Sequence, residues 1–113
     1  MPDDSPNSVT RIQELNDAFR RSFFGGVVVI TSGFESLPSD SRRLILARIR
    51  AFDNFDEDND PHGEHDFGLI EDGDVRCFWK IDYYDREMEL MSPDPADPSV
   101  TTRVLTVMLA EGY

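Results

Sequence analysis

The sequence lacks the features of a secreted or membrane protein. It contains one cysteine, Cys77, so no disulfide can form within the chain, as is typical of proteins in a reducing cytoplasm. Its first residues, MPDDSPNS, lack the basic and apolar regions of a signal peptide. The apolar run Val27–Ile30 is far shorter than a membrane-spanning helix requires. We therefore expect a cytoplasmic protein that does not associate with membranes.

Basic residues are scarce in one part of the chain, although the whole carries a net charge of −12. From Asp53 to Asp97 there are sixteen acidic residues and only three basic ones, Arg76, Lys80 and Arg86, a net charge of −13, while the rest has seven acidic and eight basic residues. Such a field repels nucleic acid and attracts basic partners. We expect no direct nucleic-acid binding. The charge either engages a basic protein or simply keeps the protein in solution.

The arrangement of apolar segments predicts an α+β fold. We expect a flexible N-terminal tail at residues 1–8 and a single domain at residues 9–113. The predicted order of elements is α-β-α-β-β-α, with a small, mainly antiparallel sheet of about three strands packed with helices.

The first half of the chain predicts two helices and a strand. Thr10 and Gln13 have the spacing of a capping box at the start of the first helix, which ends at the glycines of residues 25–26. The run VVVIT (27–31) predicts a strand buried on both faces and central in the sheet. The second helix begins at Pro38 and carries four arginines, which we expect to balance nearby carboxylates.

The second half predicts a hairpin and a last helix. Asp72 and Gly73 lie between two strand-like segments and indicate a tight turn. In the second strand one face is apolar and carries Cys77, Trp79, Ile81 and Tyr83. A last helix is predicted from Val100, and its inward-facing residues are Val104, Leu105, Met108 and Leu109.

The segment DEDNDPHGEHDFG (56–68) combines carboxylates with the only two histidines of the chain. An EF-hand alignment from Asp58 places Gly63 correctly at position 6 but puts Leu69 at position 12, where a bidentate glutamate is required. The segment therefore does not match an EF-hand. Its Asn59-Asp60-Pro61 sequence favours a turn whose polar side chains bind their own backbone.

A metal-dependent enzyme is the alternative that these histidines leave open. The four residues that could provide ligands for a small hydrolase are His62, Glu64, His65 and Asp66. The HExxH pattern is absent, and Cys77 lies on an apolar strand face, which favours a buried and unreactive thiol. No phosphate-binding motif is present. We expect no cofactor and no catalytic residues, and favour a protein that is not an enzyme.

Three strings of residues carry a resemblance to a known family. FDEDNDPHGEHDFG, FWKIDYYD and DPADPSVTTRVLTVMLAEGY resemble an uncharacterised proteobacterial family of small acidic proteins, a domain of unknown function common on plasmids and other mobile elements. The resemblance extends from ELNDAFR (14–20) to the C-terminus. It implies no established activity or site residues. Mobile elements also carry small acidic proteins that block host defences by resembling the charge of DNA.

The leading hypothesis is therefore a protein-binding module whose acidic surface engages a basic partner. A DNA-binding, DNA-processing or host-defence protein is the partner class expected first, because the Lys and Arg contacts that hold phosphates can also hold carboxylates. Self-association stays open. The residues predicted to bind the partner are Asp53, Asp56, Glu57, Asp58, Asp60 and Glu64, with a second patch of Asp82, Asp85, Glu87 and Glu89.

Overall fold

The computed structural model of the chain describes residues 6–112, which form three α-helices and one four-stranded mixed sheet. In chain order the elements are α1 Pro6–Ser22, β1 Val27–Ile30, α2 Ser32–Glu35, α3 Ser39–Arg50, β2 Phe67–Asp72, β3 Val75–Tyr84 and β4 Thr102–Leu109. Short 3-10 turns lie at Pro98–Val100 and Ala110–Gly112. None of the helices in this part of the chain is long and apolar enough to cross a membrane.

The strands lie in the order β1-β4-β3-β2. β2 and β3 form the predicted antiparallel hairpin, in which Gly73 takes a φ of 60° that favours glycine. β4 pairs antiparallel with β3 and parallel with β1. The α+β class is confirmed, but the sheet has four strands and is mixed, because the last segment of the chain joins it.

The predicted last helix is wrong, because Thr102–Leu109 forms a central strand. Val104 and Met108 are buried on one face of the sheet, while Leu105 and Val107 are buried on the other. A strand buried on both faces is apolar almost throughout, so its periodicity does not distinguish it from a buried helix. The β-branched residues in this segment are the signal that favours a strand.

The prediction that VVVIT is the central strand is also wrong. β1 lies at an edge and pairs only with β4, and 41% of Val29 is exposed. Its β-branched residues indicate a strand, but they contain no information about which strands lie beside it. The two interior strands of the sheet are β4 and β3.

The N-terminal helix begins earlier than predicted. α1 starts at Pro6, inside the segment expected to be a tail, and residues 1–5 lie outside the described part of the chain. Thr10 therefore lies within the helix and does not cap it. Gln13 instead donates a hydrogen bond from Nε2 to the carbonyl oxygen of Gly63, 3.0 Å away.

The helices contribute their buried side chains to one face of the sheet. Ile12 and Phe19 of α1 and Phe34 of α2 belong to the same apolar cluster. The cluster also contains Ile45 and Ile49 of α3 and the predicted inner face of β3, namely Cys77, Trp79, Ile81 and Tyr83. The alternation predicted for β3 is confirmed. On the opposite face, the side chains of Phe78, Lys80, Asp82 and Tyr84 are half-buried.

Candidate functional site

The connection between α3 and β2, residues 51–66, is called the acidic connection, and its own side chains stabilise its fold. Asp56 Oδ1 accepts hydrogen bonds from the backbone N–H groups of Asp58 and Asn59, at 2.9 and 3.0 Å. Asn59 Oδ1 accepts from the backbone N–H of Asp56, and its Nδ2 donates to the carbonyl oxygen of Asn54. These are the local turn contacts that the sequence predicts for Asp and Asn residues. The connection is therefore a folded part of the molecule.

The second half of this connection is bound to α1 through a buried polar network. Asn16 Nδ2 donates to the carbonyl oxygen of Glu64 at 2.9 Å and to the Tyr83 hydroxyl at 2.8 Å. The Tyr83 hydroxyl donates to Glu64 Oε1 at 2.7 Å. Arg103 Nε donates to Asn16 Oδ1 at 2.7 Å, and Arg103 Nη2 donates to the carbonyl oxygen of Pro95. The network joins α1, the acidic connection, β3 and β4.

Burial sets the ionisation of this network. Burial, reinforced by the hydrogen bond to Glu64, raises the pKa of Tyr83 far above its ordinary value. The hydroxyl therefore keeps its proton and acts as a hydrogen-bond donor. Burial also lowers the pKa of Arg103, although the guanidinium remains charged because arginine ionises so strongly. The half-buried carboxylate of Glu64 and the buried guanidinium of Arg103 are thus connected through Tyr83 and Asn16.

His65 lies beside this network in contacts that hold the connection. Its Nδ1 is 3.0 Å from Asp17 Oδ1, its Nε2 is 3.6 Å from Asp60 Oδ2, and its ring stacks on Phe55 with centroids 3.8 Å apart. The fully buried Arg20 binds Asp17 at 2.8 Å and lies over the Phe55 ring. The backbone φ of His65 is 57°, an uncommon value for a residue other than glycine.

The four residues of the metal alternative make separate contacts. Glu64 binds Tyr83, His65 binds the two aspartates, and His62 is exposed. The pKa of Asp66 is raised, first by burial and then by the charge of Glu64. Within residues 6–112, no three His, Cys, Asp or Glu side chains are grouped so that they could hold a metal ion. Cys77 is fully buried, and burial raises the pKa of its thiol.

The residues predicted to bind a partner divide into exposed and inward groups. Asp53, Asp56, Glu57 and Asp58 are exposed. Over the described residues, no Lys, Arg or His side chain lies within ion-pair distance of any of these four carboxylates. Asp60 instead contacts His65, and Glu64 accepts a hydrogen bond from Tyr83, so both carboxylates stabilise the connection.

The second predicted patch is less uniform. Asp82 lies 3.2 Å from Lys80, so its charge is partly balanced. Asp85 Oδ1 accepts a hydrogen bond from the backbone N–H of Glu89 in the turn after β3. Within this patch, Glu87 and Glu89 are exposed.

Of the α3 arginines expected to balance nearby carboxylates, only Arg43 lies within ion-pair distance of one in the described part of the chain. Arg43 lies 3.9 Å from Asp40 of its own helix, and Arg48 donates to the carbonyl oxygen of Glu71. Arg50 donates to the carbonyl oxygen of Arg21. Among the described residues, no α3 arginine therefore lies within ion-pair distance of the carboxylates of residues 53–58.

A groove of about 370 Å³ lies between the acidic connection and β2. The sequence did not predict this groove. Phe67, Leu69 and Phe78 form its apolar part, with the Phe67 and Phe78 rings stacked at 5.2 Å. Asp56 and Asp58 line its acidic part. The sequence showed that β3 carries the apolar residue Phe78 on the face opposite Trp79. It did not show that β2 lies at the edge of the sheet.

The buried partners of the connection were also missed. Asn16 and Arg20 lie four residues apart on the side of α1 that also carries Ile12 and Phe19, and this interruption of the apolar stripe by polar residues is the signal that could have found them. For Arg103 no such signal exists, because its segment was expected to be a helix.

Residues 30–112 match the family described as "Protein of unknown function (DUF3768)". The match includes the acidic connection, the hairpin and β4, and it begins after the segment 14–20 with which the expected resemblance started. Neither the curated proteins nor the solved structures contain a match to the chain. Since the matched residues make up well over half of the sequence, the chain belongs to this family of proteins of unknown function.

Proposed function

We propose that this protein is a binding module, without catalytic activity, whose acidic surface engages a basic protein. The observation that carries the proposal is the set of four exposed carboxylates at residues 53–58 that have no basic side chain at ion-pair distance within the described residues. Repulsion among unbalanced carboxylates opposes the compact state, and a basic partner would relieve it.

The shape of the connection supports the same proposal. Asp56 and Asn59 fix the backbone that carries the four carboxylates, and Asn16 and Gln13 hold its far end against α1. A surface that is already ordered loses less conformational entropy when it binds. The acidic connection therefore presents its charges in a fixed arrangement.

A DNA-binding or DNA-processing protein is the partner class we propose. A groove that holds phosphates through Lys and Arg offers the same contacts to carboxylates, so an acidic protein can occupy it in place of DNA. The resemblance to proteobacterial proteins of plasmids and other mobile elements suggests an inhibitor or regulator of a host-defence protein in the cytoplasm. In this proposal the protein itself does not bind nucleic acid.

The test is capture of partners from a proteobacterial lysate with the immobilised protein, followed by mass spectrometry. The informative variant combines Asp53→Asn, Glu57→Gln and Asp58→Asn, and it leaves Asp56 intact because that carboxylate holds the turn. We expect the wild type to retain basic proteins at low salt, with DNA-binding proteins enriched, and to release them as salt rises.

The matched control removes three exposed acids from elsewhere, with Glu14→Gln, Glu35→Gln and Asp40→Asn. It changes the net charge by the same amount but should retain the same proteins as the wild type. Capture of proteins with no basic bias, or equal capture by both triple variants, would contradict the proposal.

A further inference from the structure

The edge of the sheet at β2 has backbone groups directed outward. The carbonyl oxygen of Asp66 accepts a hydrogen bond from Ile81 N–H, so the inward pairs of the β2–β3 ladder are those of residues 66, 68, 70 and 72. Because an antiparallel ladder alternates, the N–H and C=O groups of Phe67, Leu69 and Glu71 point away from β3. These groups form the outer edge of the sheet.

Part of this edge is free in the described structure. Arg48 Nη1 donates to the carbonyl oxygen of Glu71 at 2.7 Å and closes that end. No described residue forms a hydrogen bond with the outward N–H or C=O of Phe67 or Leu69. An edge with free backbone groups is a template for another strand.

The groove beside this edge has an apolar part and an acidic part. Its floor includes the stacked rings of Phe67 and Phe78 together with Leu69. Its acidic part includes Asp56 and Asp58, which lack basic partners in residues 6–112. A lysine or arginine side chain fits both, because its apolar stem can lie on aromatic rings while its charged end reaches a carboxylate.

We infer that this groove binds an extended basic segment of a partner protein as a fifth strand beside β2. The inference rests on the proposed function and adds the place and the chemistry of binding. The backbone of the segment pairs with Phe67 and Leu69, and its alternate Lys or Arg side chains lie against the aromatic floor and the acidic rim. A strand added at the edge presents alternate side chains to one face, which suits a segment that alternates basic and apolar residues.

The test uses a fluorescent nine-residue peptide in which arginine alternates with valine, and the full-length protein. Leu69→Lys places a positive charge, like those of the peptide, on the groove floor, and Val29→Lys adds the same charge at the opposite edge of the sheet, where the side chain is exposed. We expect Leu69→Lys to weaken binding about tenfold and Val29→Lys to change it less than about twofold. Fluorescence anisotropy measures both.

Amide hydrogen exchange supplies a second readout that charge alone would not produce. Bound peptide should slow exchange at the outward N–H groups of Phe67 and Leu69 in the wild-type protein. Leu69→Pro should abolish peptide binding, because it removes one of these donors at a position that the β2–β3 ladder does not use. Absence of peptide binding, equal effects of the two lysine variants, or no added protection at these amides would overturn the inference.

The outcome is separable from the proposed function. If the inference fails while the triple variant of Asp53, Glu57 and Asp58 still loses its captured partner, the acidic surface binds without strand addition. If the triple variant keeps the partner, the proposed function fails whatever the peptide does.

Discussion

At the scale of residues, the acidic segment contains carboxylates with two different tasks. Glu64 and Asp60 face inward and hold the connection to β3 and to His65, whereas Asp53 and Asp58 face solvent. A buried polar group is costly unless every partner is present, so the inward set is sensitive to small changes. The outward set should affect binding and leave stability nearly unchanged.

Tyr83→Phe tests the inward set. The change removes the hydroxyl that donates to Glu64 and accepts from Asn16, and it leaves the buried Asn16 amide short of an acceptor. We expect the free energy of unfolding to fall by about 1–3 kcal/mol in urea denaturation. Tyr84→Phe, on the opposite face of the same strand, should change it by less than about 0.5 kcal/mol. Equal losses for the two variants would contradict the network.

Asp66→Asn tests the effect of burial on a single carboxyl. The folded protein raises the pKa of Asp66, so this residue favours folding only while it is protonated. Its contribution is present below the ordinary pKa of 3.8 and is lost as pH rises through the higher pKa of the folded state. The variant lacks this loss.

We therefore expect the stability of Asp66→Asn, relative to the wild type, to be greater at pH 7 than at about pH 3.5. Urea denaturation of both proteins at the two pH values measures the difference. A relative stability that is independent of pH, or greater in acid, would show that the environment of Asp66 differs from the one described.

At the scale of elements, the sequence predicts the hairpin correctly, but it predicts neither the type of the last element nor the order of the strands. The β2–β3 hairpin follows from Asp72-Gly73 and from the alternation around Trp79, both of which are local signals. The central position of β4 depends on pairing with two strands that are distant in sequence. Its apolar run fits a helix or a doubly buried strand equally well, so only its β-branched residues favoured the strand.

The close packing of β2 on β3 gives a prediction for Gly68. A methyl group at this position would overlap the indole of Trp79, its partner across the ladder, and would also crowd the Phe52 ring. We expect Gly68→Ala to lower the free energy of unfolding by about 1–3 kcal/mol, because the indole cannot move within the packed cluster.

Gly73→Asn in the turn of the same hairpin is the control. Gly73 has a φ of 60°, a side chain added there would begin in open space with no atom within 4 Å, and asparagine tolerates this backbone conformation. It should cost less than Gly68→Ala in the same denaturation experiment. A neutral Gly68→Ala would contradict the packing of Trp79 against β2.

At the scale of the whole molecule, the negative charge is concentrated in one continuous segment of the chain. The segment Asp53–Asp97 holds a net charge of −13, and the remainder is close to neutral. The sequence predicted this division, because it depends only on composition. It did not predict which carboxylates would face solvent, since that depends on Asn16, Tyr83 and Arg103 meeting in the folded chain.

The central claim is that the exposed carboxylates of residues 53–58 bind a basic protein. The most direct measurement is the dissociation constant of a captured, purified partner for three proteins at physiological salt. These are the wild type, the triple variant of Asp53, Glu57 and Asp58, and the triple control of Glu14, Glu35 and Asp40. We expect the first triple variant to bind about tenfold more weakly, as three exposed ion pairs of about 0.5 kcal/mol each would give, and the control to bind like the wild type. Equal dissociation constants for all three proteins would contradict the claim.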